Sequence, residues 1–384
     1  MQKSQNIAHD TLSQIEVEPQ KKIIINAVDV AFKIVPKVER ATTGAPQNIS
    51  SESLYSIQNI QKEEAAIYAN CMEIIYKTKL FLSGMEKTPL SENSFLNFHK
   101  ELWRYINELE LQSECATPVT KYNIQKLFRG ELYEFITQST IASRALTKPM
   151  GYPGDYIMLQ YLYDNKVRSE TEIGCYFDKF FFEDTLAKAV VNRVQTMSQY
   201  IEKFIEDSPK SELHILDIAS GSGFDLIPIA KKKQSKKIFF HCFDQEIASL
   251  WFAKNNLESL NNNVSFIFYK EDIRHFFKKK ESSQTFDLVY NIGLADYLPD
   301  KILKVFMQES IDALNPGGQF ILAHKDFEKF QPEHPSWLYD WQFIKRNFSD
   351  YINFVNNNLT NFSHFETFFE SDLKVIYFGK FIRQ

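Results

Sequence analysis

The chain has 384 residues, 44% of them hydrophobic, with 34 phenylalanines against 12 glycines, so it can bury a large, aromatic-rich core spread over two domains. A formal charge of −5 argues against a whole-protein nucleic-acid or membrane-surface footprint, and the lysine runs at 231–237 and 278–280 read as solvated faces. Cys71, Cys115, Cys175 and Cys242 are far apart without a CxxC pair, which speaks against a structural zinc site or a disulfide framework. No metal is expected.

Residues 1–20 are polar, without the apolar core of a signal peptide, and no apolar run reaches the ~20 residues of a membrane helix. A cytoplasmic protein without membrane insertion is expected. "KIIINAVDVAFKIV" (22–35) is β-branched and suits a short strand pair or an arm, and "ATTGAPQNISSES" (41–53) has linker composition; residues 1–53 are thus read as a flexible arm and linker. From 54 to about 147 the apolar period is helical, first in "YSIQNIQKEEAAIYANCMEIIYKTKLFL" and again at 92–109 and 121–146. The break "TKPMGYPGDY" (147–156) precedes a short helix and a long one at roughly 176–207. Residues 54–207 form a predicted helical domain or lid.

After residue 208 the texture changes. The apolar runs "HILDIA", "IFFHCFD", "VSFIFYKED", "FDLVYNIG" and "GGQFILAHKDF" alternate with the helical segments "GFDLIPIAKK", "EIASLWFAKNNLESL" and "PDKILKVFMQESIDAL". That alternation predicts an α/β domain over 208–384 with a mostly parallel, doubly wound sheet. "HFETFFES" and "LKVIYFGKFIRQ" are predicted to close it as an antiparallel hairpin on the sheet edge.

In such a sheet, ligands sit at the carboxyl ends of the strands where the strand order reverses. The first strand runs into "LDIASGSGF" (216–224), which places Asp217, Gly221 and Gly223 at that crevice. Glycines there let the backbone approach a ligand, and the following helix offers free N–H groups. A mononucleotide loop would need GxxxxGK[ST], and no lysine follows. A dinucleotide fingerprint would need a third glycine where Leu226 stands. S-adenosylmethionine remains: its ammonium welcomes Asp217, which would repel a pyrophosphate. Asp244, with Gln245 after it, ends the second strand, where an acid accepts ribose hydroxyls. Asp272 ends the third, placed for the adenine amino group with Ile273 packing on the ring. Asn291 ends the fourth, near the sulfonium.

Residues 213–323 resemble a class I S-adenosylmethionine-dependent methyltransferase core, with "LNPGGQFIL" (314–322) as the turn into the fifth strand and Ala219 where the family commonly has its first glycine. The resemblance implies a Rossmann-like fold with this cofactor. "LTKPMGYPGDYIMLQYLYDN" (146–165), "NIGLADYLPDK" (291–301) and "HPSWLYDWQFIKRN" (334–347) further resemble the bacterial proteins assigned to 3-hydroxypalmitic acid methyl ester biosynthesis, a quorum signal. That family also resembles the cyclases that convert S-adenosylmethionine to azetidine-2-carboxylic acid. The implied function is methyl transfer to a small molecule such as the carboxylate of a 3-hydroxy fatty acid. The alternatives are cyclisation, with release of methylthioadenosine, and a non-catalytic cofactor-binding module.

Within this frame "GYPGDY" reads as a lid loop, with Asp155 as a helix N-cap and Tyr152 facing the sulfonium, where an aromatic face stabilises a cation. Tyr176 is a second candidate for that cage. Arg193 is a candidate partner for the cofactor carboxylate. His324, at the end of the fifth strand, is a candidate general base. Asp296, Tyr297 and "YDW" (339–341) are candidate lining of an acceptor pocket.

Overall fold

Two breaks organise the helical half. The computed structural model describes residues 51–260, 263–272, 285–330, 333–370 and 373–384, with side chains from residue 62 onward; the 22–35 run, Ile273 and the lysine run at 278–280 lie outside these. Helices α1 (Ser51–Met85) and α2 (Glu92–Gln112) come first. The predicted helix over 121–146 is three helices: α3 (Pro118–Glu131), α4 (Tyr133–Ile136) and α5 (Thr140–Thr147). The cause is Ser139, whose hydroxyl accepts the Ala142 N–H as the α5 cap and donates to buried Asp178 at 2.6 Å. After α6 (Tyr156–Asp164), the predicted long helix is likewise split into α7 (Glu172–Glu183) and α8 (Thr185–Asp207). Here Asp184 turns extended and caps α8 by accepting the Leu186 and Ala187 N–H groups.

The sheet comprises β1 (Glu212–Ile218), β2 (Lys237–Asp244), β3 (Val264–Lys270), β4 (Phe286–Asn291), β5 (Leu314–Lys325), β6 (Phe362–Phe369) and β7 (Ile376–Arg383). Its order is β3-β2-β1-β4-β5-β7-β6, with β1 to β5 parallel and β7 antiparallel to both neighbours. The terminal hairpin is present, but its last strand inserts inside and leaves β6 at the edge. Apolarity decides this: β7 is almost wholly buried, whereas β6 alternates between half-buried and exposed.

Helices α9 (Ile227–Lys231), α10 (Ile247–Glu258), α11 (Asp300–Asp312), α12 (Glu333–Tyr339) and α13 (Phe348–Asn358) complete the described elements. One apolar core joins the helical half around Phe98, Phe177 and Trp337, and two flank the sheet. All four cysteines are free thiols. Among the described residues no helix is long and apolar enough to cross a membrane. The strand order reverses between β1 and β4, so the crevice lies beyond their carboxyl ends.

Candidate active site

Three left-handed residues shape the turn after β1: Ala219, Gly221 and Gly223, with φ of 57°, 55° and 61°. Each does something different. A side chain at Gly221 would meet no atom within 4 Å, so this backbone edge faces open space. At Gly223 a Cβ would lie 2.8 Å from Leu257 Cδ1, so glycine lets α10 pack close. Ala219 is exposed and carries a Cβ in a conformation that disfavours one by about 1–2 kcal/mol.

Asp244 locks this turn to the end of β2. Its Oδ2 accepts the Gly221 N–H and its Oδ1 the Glu246 N–H, both at 2.8 Å. Burial raises its carboxyl above the usual range, against the pull of these backbone donors. Gln245 beside it is exposed, and Asp272 is half-buried just past β3. The Glu271 N–H, one residue earlier, donates to the Asp244 carbonyl and draws the β3 end toward β2.

Beneath the turn lies a buried charged cluster. Asp217 pairs in register with Tyr290 of β4, and the Tyr290 hydroxyl donates to Asp225 at 2.7 Å. Asp217 Oδ2 is buried without a hydrogen-bond partner among the described residues. Burial, reinforced by the neighbouring Asp225 charge, pushes Asp217 well above the carboxylate range; burial pushes Asp225 up to about 6. Arg193 of α8 lies within electrostatic reach of Asp225 and of Tyr163. Its guanidinium lies about 4 Å from where a side chain at Gly293 would begin. Arg193 Nε is also buried without a partner. An acidic and a basic side chain thus stand buried beneath one glycine turn, each with an unused polar atom, an arrangement that suits a zwitterion.

Above it sits the "GYPGD" loop, with Gly151 and Gly154 at φ of 86° and 79°. Gly154 lies flat on an indole: a Cβ there would come within 2.7 Å of Trp341 Cζ2. Asp155 caps α6 through the Ile157 and Met158 N–H groups and pairs with Arg144 at 2.7 Å. Half-buried Tyr152 lies within electrostatic reach of Asp244 and Glu246, at the β2 end, and of Tyr297 in the loop after β4. Trp341 Nε1 donates to the Tyr297 hydroxyl at 2.8 Å, while Arg129 and Lys148 hold Asp340 by ion pairs. Three segments far apart in sequence, 151–155, 296–297 and 339–343, therefore meet at one wall.

Three candidates do different work from that expected. Tyr176 is no part of a cage: it is fully buried among the helices, stacks on Phe98 at 4.9 Å and donates to the Pro89 carbonyl. His324 is no free base: it is fully buried, its Nδ1 bonds Asp296, and Arg346 lies 3.5 Å from its Nε2. Asn291 reaches the crevice, but Nδ2 donates to the Ile218 carbonyl at 2.7 Å and Oδ1 accepts the Leu294 N–H. Both of its side-chain polar atoms are thus engaged in positioning the β4 loop against β1.

Asp296 does not line a pocket as an exposed acid either. It binds His324, the Lys325 N–H and Lys325 Nζ. Burial opposes its ionisation, but Lys325 and His324 outweigh it and hold the carboxyl far below the carboxylate range. Asp225, Tyr163 and Lys325 carry no local motif, and their roles arise only from the neighbours that the fold supplies.

Residues 209–362 match the family model described as a methyltransferase domain, and residues 113–250, which span the GYPGD loop and the glycine turn, match that of a putative methyltransferase. The fold is that of an α/β methyltransferase. Among solved structures, the chain is similar to magnesium protoporphyrin IX methyltransferase from Synechocystis PCC 6803 with bound S-adenosylmethionine. The identity is 14%, over 52% of this chain and 84% of that one, with a TM-score of 0.39. Geranyl diphosphate C-methyltransferase from Streptomyces coelicolor A3(2) is 8% identical over 50% and 79%, with a TM-score of 0.37. A possible exported protein from Bordetella parapertussis is 11% identical over 84% and 96%, with a TM-score of 0.49.

Proposed function

We propose that the protein is an S-adenosylmethionine-dependent methyltransferase that esterifies the carboxylate of a small molecule. The observation that carries the cofactor is that Asp217 Oδ2 and Arg193 Nε, both neighbours of Asp225, are buried without a partner among the described residues, close to the glycine turn. Asp217 would hold the ammonium and Arg193 the carboxylate of the methionine moiety; Asp244 would hold the ribose and Asp272 the adenine. When bound, the cofactor supplies an electrophilic methyl group. Tyr152 and Tyr297 line the same mouth and favour a cation over their rings.

The acceptor follows from what the site lacks. His324 and Lys325 are both engaged by Asp296, so neither is free to act as a base on the acceptor. An acceptor that arrives already anionic needs none: positioning and exclusion of water suffice. A carboxylate meets that condition at neutral pH; an alcohol does not. A 3-hydroxy fatty acid, with its ester as a signal, is the acceptor that the resembling family points to.

A second reading is cyclisation of S-adenosylmethionine by its own amino group. The raised carboxyls of Asp217 and Asp225 favour it, since they lie where a proton from an ammonium could be received. One experiment separates the two. Purified protein is incubated with S-adenosylmethionine, with and without a carboxylic acid, and the nucleoside product is identified. S-adenosylhomocysteine appearing only with the acid is expected. Methylthioadenosine without any acceptor would establish cyclisation, and tight binding with neither product would leave a cofactor-binding module.

A further inference from the structure

Helix α1 is apolar on two faces. Cys71, Ile74, Ile75, Leu82 and Met85 are buried in the core of the helical half. Tyr68, Met72, Tyr76 and Leu80 are not: they are 40%, 36%, 62% and 55% exposed. Spaced four residues apart, these four form one continuous row about 18 Å long. Exposed Ala65 and Ala69 lie beside its first turn. A surface helix ordinarily sets polar residues opposite its buried stripe. Scattered apolar side chains on a surface need no partner, whereas a contiguous row marks a contact.

The flanks of the row are polar and tied to the body. Asn70 Nδ2 donates to Gln112 of α2 at 3.3 Å, and Lys79 Nζ donates to Glu131 of α3 at 3.0 Å. Nine residues apart, Asn70 and Lys79 leave opposite sides of the helix. Helices α2 and α3 are therefore held at its two sides while the row faces outward. An apolar strip inside a polar rim has the anatomy of a protein–protein contact.

We propose that this face of α1 pairs with the same face of a second copy of the chain, antiparallel and about a twofold axis between Met72 and Tyr76. This inference stands apart from the methyltransferase reading. A row at i, i+4 spacing is the ridge that packs into the grooves beside a like ridge, with the helix axes about 50° apart. Under the twofold, Met72 lies against Tyr76 of the partner subunit and Tyr68 against Leu80 of the partner subunit. The charges beside the row obey the same symmetry. Glu73 and Lys77 stand one turn apart on one flank, pair at 2.6 Å, and keep 67% and 54% of their side chains exposed. The axis brings that flank of both helices to the same side, so each Glu73 faces Lys77 of the partner subunit. A carboxylate accepts, and an ammonium donates, more than one hydrogen bond, so the two pairs close into one four-charge ring.

The test follows self-association of the full chain by sedimentation from about 1 to about 100 μM at low ionic strength. A reversible monomer–dimer equilibrium is expected. Tyr76→Glu puts a carboxylate into the apolar row and should raise the dimer Kd at least about tenfold, with the thermal melt of the monomer unchanged because the site is exposed there. Glu73→Lys and Lys77→Glu each set like charges across the axis and should each weaken self-association about tenfold. Mixed in equal amounts, these two variants should form a heterodimer, and Glu73→Lys/Lys77→Glu in one chain should dimerise as the wild type does. A wild type monomeric at about 100 μM would overturn the proposal, whether the row is then bare or covered by residues 1–50 or by another protein. So would a dimer indifferent to Tyr76→Glu, or a mixture of the two charge variants that stays monomeric.

Discussion

The two sides of the crevice are built by different means. On the β1–β2 side the backbone does the shaping: three left-handed residues expose one peptide edge, and Asp244 ties it to the β2 end by accepting the Gly221 N–H. On the β4–β5 side, side chains from distant segments do it, as Gly154, Tyr297 and Phe343 all converge on Trp341. A backbone cradle is local, so few substitutions are tolerated and its form is tied to a short motif. A side-chain wall is assembled by packing and can change its occupant without altering the fold beneath it. The first suits a shared cofactor, and the second suits a particular acceptor.

The largest expected effect tests the cradle. Asp244→Ala leaves the Gly221 and Glu246 N–H groups without their acceptor and removes the carboxylate proposed to hold the ribose. Affinity for S-adenosylmethionine should fall about 100-fold or more by titration calorimetry. An unchanged Kd would break the assignment of this side to the cofactor. A middle-sized effect tests the wall. Trp341→Ala removes the surface under Gly154 and the bond to Tyr297, and should cost about 1–3 kcal/mol in a urea melt. Because the GYPGD loop then loses its seat, KM for S-adenosylmethionine should also rise about tenfold. A loss of stability with both kinetic constants intact would reduce the wall to packing.

The smallest effect sharpens the contrast. Ala219→Gly relieves a left-handed alanine, partly offset by glycine's greater freedom in the unfolded chain. A gain of about 0.5–1 kcal/mol in the same melt, with cofactor affinity unchanged, is expected. A loss of stability would mean that the Ala219 methyl makes contacts that outweigh the strain.

Legibility in the sequence follows the same division. The alternation after residue 208 and the turn at 216–224 declared the parallel sheet and its crevice, because strand period and glycine placement are local properties. The helical half was legible as helix but not in its breaks, since Ser139 and Asp184 act as caps only where a buried partner or an extended residue makes them so. Tyr176 and His324 show the same limit from the other side. Each is a residue type apt for catalysis, and each is occupied, by the Pro89 carbonyl and by Asp296.

Taken alone, the sequence determined the α/β sheet, the glycine turn and the acids at the strand ends, all of which depend on neighbours within a few residues. Tertiary structure decided the rest: that β7 lies inside β6, that Arg193 Nε and Asp217 Oδ2 are buried with no partner among the described residues, and that Lys325 packs on the Phe343 ring. Burial and unmet hydrogen bonds are properties of what surrounds a side chain, and only the folded chain brings those surroundings together.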